Sequence, residues 1–414
     1  MTNNEKDNNF IIKLIVILGI FVLIVGIAIA IPLFFNAHKN GPLNDASSIL
    51  REQPVKLSIS CVGDIMVHSP QIPSQYDSVT STYDYNNNFE FVKKYIEASD
   101  LAICNVETTF GGGKYAGYPL FNAPEQLADA VKNAGWDVAV TANNHCMDTG
   151  FNGLERTIRV SREAGLVTTG TMLEGDKNYA MITEKGINIA VIAYTYETSN
   201  INGTITINGN SISSEAASRI NSFNYDTLTE DMQKIKNTIS EARKEGADIV
   251  VCYFHWGEEY QRSPNDYQLN IARQAADMGA DMIFASHPHV LQGVEMLKNE
   301  TTGKQVPVFY SMGNFISNQR LETLNNRYTE QGIIAEVNLE YMKSTKEILT
   351  IQMDAIPVWV DKYKSNGKDV YSVVPLDDQI EANTSLAVSG HLQRAQQALS
   401  DVKELLGEEY IRSN

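Results

Sequence analysis

Six short segments carry the residues able to do chemistry, and each closes or follows an apolar run. Asp64 ends Cys61-Val62-Gly63-Asp64, Glu107 ends Asn105-Val106-Glu107, and Asn143-Asn144-His145 follows Thr141-Ala142 with Asp148 just beyond. His255 opens His255-Trp256-Gly257-Glu258-Glu259-Tyr260, His287 and His289 flank Pro288, and Ser311-Met312-Gly313-Asn314 completes the set. Five of the seven histidines (His68, His145, His255, His287, His289) lie in or beside these segments, whereas His38 and His391 lie outside them. Neutral imidazoles mixed with carboxylates suit divalent transition ions such as Mn, Zn or Fe. Two ions about 3.5–4 Å apart can hold both oxygens of a phosphoryl displacement. A carboxylate is the natural bridge between them, and a histidine outside the metal shell can protonate the leaving group. Singly, the segments say less. A strand-end Asp such as Asp64 is usually a turn former, a buried histidine such as His255 is as often bonded to backbone, and Asn-Asn-His also reads as a polar turn. Ser286-His287-Pro288-His289 is the most specific, because two imidazoles around a rigid proline serve no obvious packing purpose. Together the segments point to a metal or phosphate site.

Residues spread from Asp64 to Asn314 must be gathered by the fold. Leu57–Val62, Leu101–Val106, Asp137–Thr141, Asn188–Tyr194, Ile249–Phe254 and Met282–Ala285 read as buried strands. Phe91–Ala98, Pro124–Ala134, Gly153–Ala164, Thr227–Glu245 and Tyr267–Met278 read as the helices between them. This alternation predicts an α/β domain of βαβ crossovers, whose strand carboxyl ends form the ligand crevice. Tyr179–Glu197, with a turn at Lys185-Gly186, reads as a hairpin that breaks the alternation. Val306–Tyr310, Gly332–Leu339 and Ile348–Val360 lack helices between them and suggest a further antiparallel portion, and His391–Leu406 reads as a polar helix on the domain edge.

The chain has 414 residues and a formal charge of −17. That acidity repels nucleic-acid phosphates and excludes DNA or RNA as a partner. It also disfavours anionic polymers unless a metal or a basic groove offsets the field. Cys61, Cys104, Cys146 and Cys252 form no CxxC pair and read as buried free thiols rather than a disulfide framework. From Leu14 to Phe35 the sequence carries no charge, a length of roughly 33 Å as a helix and enough to cross a bilayer. A cleaved signal peptide is the rival reading, since Ala28-Ile29-Ala30 resembles a cleavage site, but the run exceeds a usual signal h-region. The expected organisation is therefore a cytoplasmic N-terminus (1–13), a transmembrane anchor (14–35), a linker (36–54), a domain over 55–361 and a C-terminal extension with a helix (362–414). Basic residues balance across the anchor and scarcely orient it; a large domain after a first anchor is expected outside the cytoplasm, at the cell membrane.

The order of these motifs resembles the calcineurin-like metallophosphatase superfamily. More closely, GDIM, NVET, ANNHxxD, HWGxEY, SHPHV and SMGNF resemble the poly-γ-glutamate capsule biosynthesis family, CapA, over about Lys56 to Asn318. The resemblance implies a four-layer α/β/β/α sandwich behind one transmembrane helix, with one or two divalent ions. It further implies poly-γ-glutamate and membrane synthesis or export subunits as partners, the domain being either a component of that machinery or an active phosphoester hydrolase. By the same resemblance Asp64 and His289 hold one metal, Asn144, His255 and His287 the second, Glu107 bridges, and His145 is the acid or transition-state stabiliser. Three departures stand out: Met66 replaces an imidazole of the first metal, Glu107 replaces an Asp, and Asn143 replaces a Gly. His68 is either a substitute for the missing imidazole or a plain surface histidine. Asp148, Glu259, Ser311 and Asn314 are further site candidates.

Overall fold

The computed structural model describes residues 52–201 and 204–412, together with Gly19. The expected anchor and most of the linker lie outside the described residues, among which no helix is long and apolar enough to cross a membrane. Contacts divide the chain into two units, and the second, Pro54–Asn414, holds the sheets and the candidate site residues.

Parallel strands β1 (Val55–Ile65), β2 (Leu101–Val106), β3 (Val138–Val140) and β4 (Val167–Thr169) are neighbours in that order. Helices α1 (Gln126–Asn133) and α2 (Gly150–Glu163) form the crossovers into β3 and β4. The chain then enters a second sheet through the hairpin of β5 (Ala180–Glu184) and β6 (Ile187–Tyr196). Its turn residues Lys185 and Gly186 sit at φ 51° and 73°, the left-handed pair that a tight hairpin needs. The second sheet continues with β7 (Ser222–Phe223), β8 (Ile249–His255), β9 (Met282–Ser286), β10 (Val294–Lys298) and β11 (Gln305–Phe309), ordered β7-β6-β8-β9-β11-β10 with β5 on β6. Helices α3 (Leu228–Lys244) and α4 (Asp266–Met278) precede β8 and β9. A capping box starts α4: Asn265 Oδ1 accepts from the Gln268 N–H, and Gln268 Oε1 accepts from the Asn265 N–H, each at 3.0 Å.

The last strands return to the first sheet. β12 (Asn314–Ile316) runs parallel to β1, while β13 (Gln331–Met342), β14 (Glu347–Ser365) and β15 (Lys368–Pro375) extend its other edge, giving β15-β14-β13-β1-β2-β3-β4. The antiparallel portion is thus no separate body. The Val306–Tyr310 run differs again: as β11 it lies parallel to β9 in the second sheet. The boundary expected after Asp361 falls inside β14, because β15 pairs with that strand from Val358 to Ser365. Helix α5 (Leu392–Leu406) places Val402 and Leu406 in the central core. The helix expected over Phe91–Ala98 shrinks to Lys93–Ile96. Its flank is taken up by short-range turns, Phe89 to Asn86 and Val92 to Phe89, and by Asp100, whose carboxylate accepts the Ser58 N–H and ties the chain to β1 just before β2 begins. A small three-stranded sheet, Thr198–Ile201, Thr204–Ile207 and Asn210–Ser211, was not foreseen.

Period-two alternation sorts the buried strand residues into layers. Leu57, Ile59, Ile103 and Val138 of the first sheet meet Ile189, Val191, Val251 and Phe284 of the second. Their neighbours Ala102, Cys104 and Ala139 turn to Leu127 and Val131 of α1. Ile192, Val250 and Phe254 turn to Ile235 and Ile239 of α3 and Ile271 and Ala275 of α4. The result is helix, sheet, sheet, helix. Strands covered on both faces read as continuous apolar runs, which is why they were visible in the sequence. All four cysteines are free and buried within it.

Candidate metal centre

The carboxyl ends of β1, β2 and β3 in one sheet meet those of β8 and β9 in the other, and the acidic and histidine segments follow those ends. Backbone approach explains the glycines. A Cβ on Gly63 would lie 2.0 Å from the Gly313 carbonyl oxygen, and that carbonyl accepts the Asp64 N–H at 3.1 Å. Gly313 itself sits at φ 68° against the Gln331 carbonyl. The Ser311–Asn314 loop is thereby pressed onto β1 beside Asp64. Around Pro288, His287 and His289 adopt φ of 107° and 58°, a region that residues with side chains rarely occupy and that clusters at functional sites. The Pro288 carbonyl accepts the N–H of Tyr260 at 2.7 Å, which holds the turn against the Glu259 segment.

Two ligand clusters result, and they share one residue. Glu107, His255 and His287 offer donor atoms within 4.8 Å of one another, and so do Asp64, Glu107 and His289; all five residues are buried. Glu107 Oε1 lies 3.7 Å from His255 Nε2 and 3.9 Å from His289 Nε2. Among the described residues this oxygen and His287 Nδ1 have no hydrogen-bond partner although both are buried. A buried lone pair without a donor is costly in a closed core, and donors of this kind fit a divalent cation. Asn144 joins the cluster of His255 and His287, with its Oδ1 2.8 Å from His255 Nε2. His289 Nδ1 faces Asp64 Oδ2 at 3.0 Å and Asn314 Oδ1 at 3.1 Å. With its proton on Nδ1, the ring keeps the Nε2 lone pair for the interior.

Charge and burial act against each other here. Burial raises the Asp64 carboxyl, but the hydrogen bond and charge of His289 outweigh it and hold Asp64 well below the usual carboxylate range. His289 shows the reciprocal effect: burial lowers it, and the Asp64 carboxylate carries it above its ordinary value. Glu107 is pushed well up by burial and by its neighbour Asp64. Burial takes His255 down to about 3, with the charges of His289 and His145 adding to the effect against Asp64. His287 is driven well below its ordinary value by burial and by His255. Without a cation, then, Asp64 and His289 favour each other's charged forms, while burial favours the neutral forms of Glu107, His255 and His287.

The remaining candidates separate into three groups. His145 stands at the cleft with its Nδ1 on Asp148 Oδ2 at 2.7 Å, and the same Asp148 oxygen accepts the Phe121 N–H at 2.6 Å. Asn314 positions His289, whereas Ser311 is used inside its own loop, donating to the Val290 carbonyl at 2.7 Å. His68 lies apart from both ligand clusters. Its Nδ1 accepts the Asn318 N–H at 3.2 Å, and burial lowers it to about 3. His68, Met66 and Glu259 line, with His145 and His289, a cleft of about 350 Å³. Sequence reasoning passed over Asn105, whose amide donates to Asp64 Oδ1 at 2.9 Å and to Glu107 Oε2 at 3.1 Å. It also passed over Asn143, which donates to Asn105 Oδ1 at 3.1 Å, and Tyr196, whose ring lies 4.7 Å from that of His287. The position of Asn105, two residues before Glu107 on the same strand face, was the available signal.

Residues 58–319 match the family described as bacterial capsule synthesis protein PGA_cap. The capsule biosynthesis protein CapA of Bacillus anthracis is 32% identical over 274 residues, covering 64% of this chain and 60% of that one. The PGA biosynthesis protein CapA of Bacillus subtilis is 30% identical over 271 residues, covering 64% of each. The match therefore spans less than two thirds of either relative. Among solved structures, a calcineurin-like phosphoesterase of Bacillus subtilis aligns with 85% of this chain and 100% of its own at 13% identity and a TM-score of 0.38, too distant a likeness to carry weight.

Proposed function

Because the chain belongs to the bacterial capsule synthesis protein PGA_cap family, we propose that it is a component of poly-γ-glutamate capsule biosynthesis or export that works through a two-cation, metallophosphatase-like centre. One observation carries the centre: the buried Oε1 of Glu107 lies between His255 and His289 with no donor to satisfy it. Asp64, Glu107 and His289 would hold one ion, and Glu107, Asn144, His255 and His287 the other, with Mn, Zn or Fe suited to the donor set. Bound there, such ions supply Lewis acidity and an activated water. The protein's own part is orientation and proton supply. Asp148 accepts the Nδ1 proton of His145 and orients the ring, so that the imidazolium form passes its Nε2 proton to a departing oxygen and is left neutral with its proton on Nδ1. Asn105 and Asn314 hold the carboxylates and His289 in place. The apolar run over 14–35 supports a single-pass anchor with the domain on the extracytoplasmic side, beside the membrane subunits of the pathway.

Metal analysis of the full-length protein tests the centre. About two ions per chain are expected after Mn or Zn loading, with Glu107→Gln losing both; a wild-type chain that stays metal-free and inert toward phosphoesters defeats the reading. In cells, gene deletion is expected to abolish surface polymer. A second reading, an active phosphoester hydrolase on another cell-envelope substrate, draws on the His145–Asp148 pair beside an open cleft. Replacing His287 and His289 by Ala separates the roles: loss of polymer with a folded domain means the site is needed, and full retention means a scaffold.

A further inference from the structure

The cleft that leads to the histidines is polar at one end and apolar at the other. His68, His145 and His289 line its inner part, and Tyr118, Tyr260 and Leu324 line its rim. Those three rim side chains are 74%, 37% and 42% exposed, and Leu321, in the same short helix as Leu324, is 40% exposed. None of the four belongs to a core cluster, so packing does not require an apolar residue at any of these places. Scattered surface leucines are ordinary, but Tyr118, Tyr260 and Leu324 gathered around one cleft, beside the polar Asn318, Gln319 and Thr323, mark a binding surface.

The rim is also held in position. The Leu321–Leu324 helix is tied down by the Leu321 N–H on Glu330 Oε1 at 2.9 Å and by Glu322 on Arg394 at 2.7 Å. The loop bearing Tyr118 is pressed so closely onto the chain that a Cβ on Gly117 would lie 2.1 Å from the Ser69 nitrogen. Two residues past Pro119, the Phe121 N–H is fixed on Asp148. Tyr260 is joined to the rim through its hydroxyl, 3.4 Å from Gln319 Nε2. These side chains are presented outward by fixed backbone, next to the residues of the proposed centre. Glu259 also lines the cleft, and its carboxylate disfavours a headgroup with high negative charge.

We propose that this cleft takes an amphiphile, with an ester or oxyanion headgroup of low charge at His145 and His289 and an alkyl chain lying over Tyr118, Tyr260 and Leu324. The headgroup end rests on the two-cation reading; the tail end rests on the rim alone. A long chain adds about fourfold in affinity for each methylene wholly buried, so even partial cover of an octyl chain gives a large effect.

The test uses the full-length protein, loaded with Mn, in phosphatidylcholine nanodiscs, with the monoanionic diesters dimethyl phosphate and methyl octyl phosphate as probes. The wild type is expected to bind methyl octyl phosphate at least tenfold more tightly than dimethyl phosphate. The double variant Tyr118→Ser, Leu324→Ser is expected to lose most of that ratio while its dimethyl phosphate affinity stays unchanged. Both side chains lie outside the core, and partition into the lipid is common to both proteins. Equal affinities for the two probes in the wild type, an unchanged ratio in the variant, or no binding of either probe overturns the amphiphile. The metal content of the same samples reports separately on the cation centre, which stands or falls by that number.

Discussion

Asn105 shows how much of this centre depends on a residue that touches no proposed ion. Its amide lies between two carboxylates and bonds to both, and its own oxygen is held by Asn143. Replacing it with Ala leaves Asp64 and Glu107 in mutual repulsion with no shared donor. Outer-shell residues of this kind typically contribute ten- to a hundredfold to metal affinity. Asn105→Ala is therefore expected to weaken binding by about that factor, as read by chelator competition, with the fold retained. The candidate ligands were visible in the sequence because histidine and acidic residues are conspicuous at strand ends. Asn105 and Asn143 were not, because an asparagine that orients a carboxylate looks the same in sequence as one that caps a turn. For His68 the sequence left two readings open, a replacement ligand or a surface histidine; in the fold its Nδ1 accepts the backbone N–H of Asn318.

Among the elements, the loop over Ser311–Asn314 and the end of β1 act as one part. Their backbones touch, with Gly63 beneath the Gly313 carbonyl, so Gly63 cannot gain a side chain without moving Asp64. Gly63→Ala is expected to destabilise the protein by more than about 2 kcal/mol, the range of severe steric substitutions, and to lower metal content as well. Urea denaturation of the variant beside wild type checks the first, and metal analysis the second. The parallel strands and long helices were legible because double-sided burial and helical periodicity are strong signals. The pairing of β13 with β1 was not. Gly332–Leu339 reads as a strand from its apolar run, but nothing local says which of two sheets it joins. β15, over Lys368–Pro375, escaped notice because only its second half is buried.

For the whole molecule, the metal-free protein has a definite pH response. His255, lowered to about 3, His287, well below its ordinary value, and His68, also near 3, are neutral in the fold where the unfolded chain takes up protons. Their stabilisation is complete above about pH 6.5 and falls as pH drops toward 3. Glu107 is raised, so it contributes in the opposite direction, its share being lost as pH rises through its folded value. His289 is raised too, and adds to that loss above pH 6.5. Asp64, held well below the usual carboxylate range, also loses its stabilisation on the acid side, so four groups act against Glu107 below that pH, while Glu107 and His289 act together above it and place the maximum near pH 6.5. The melting temperature of metal-free protein is expected to peak there and fall on both sides, and a bound cation to remove the alkaline decline; a flat profile contradicts this balance. The centre also joins residues far apart along the chain: His289 meets Asp64 across 225 positions, and His255 meets Asn144 across 111. A ribosome delivers the acids first. Asp64 and Glu107 are made, and their half of the sheet can form, well before any of the three ligand histidines exists. In the proposed centre an ion would thus enter as the closing event of biogenesis rather than as a nucleus for it. Which metal filled it would then be decided by the supply in the compartment where the last strands arrive, as much as by the intrinsic preference of the candidate ligands.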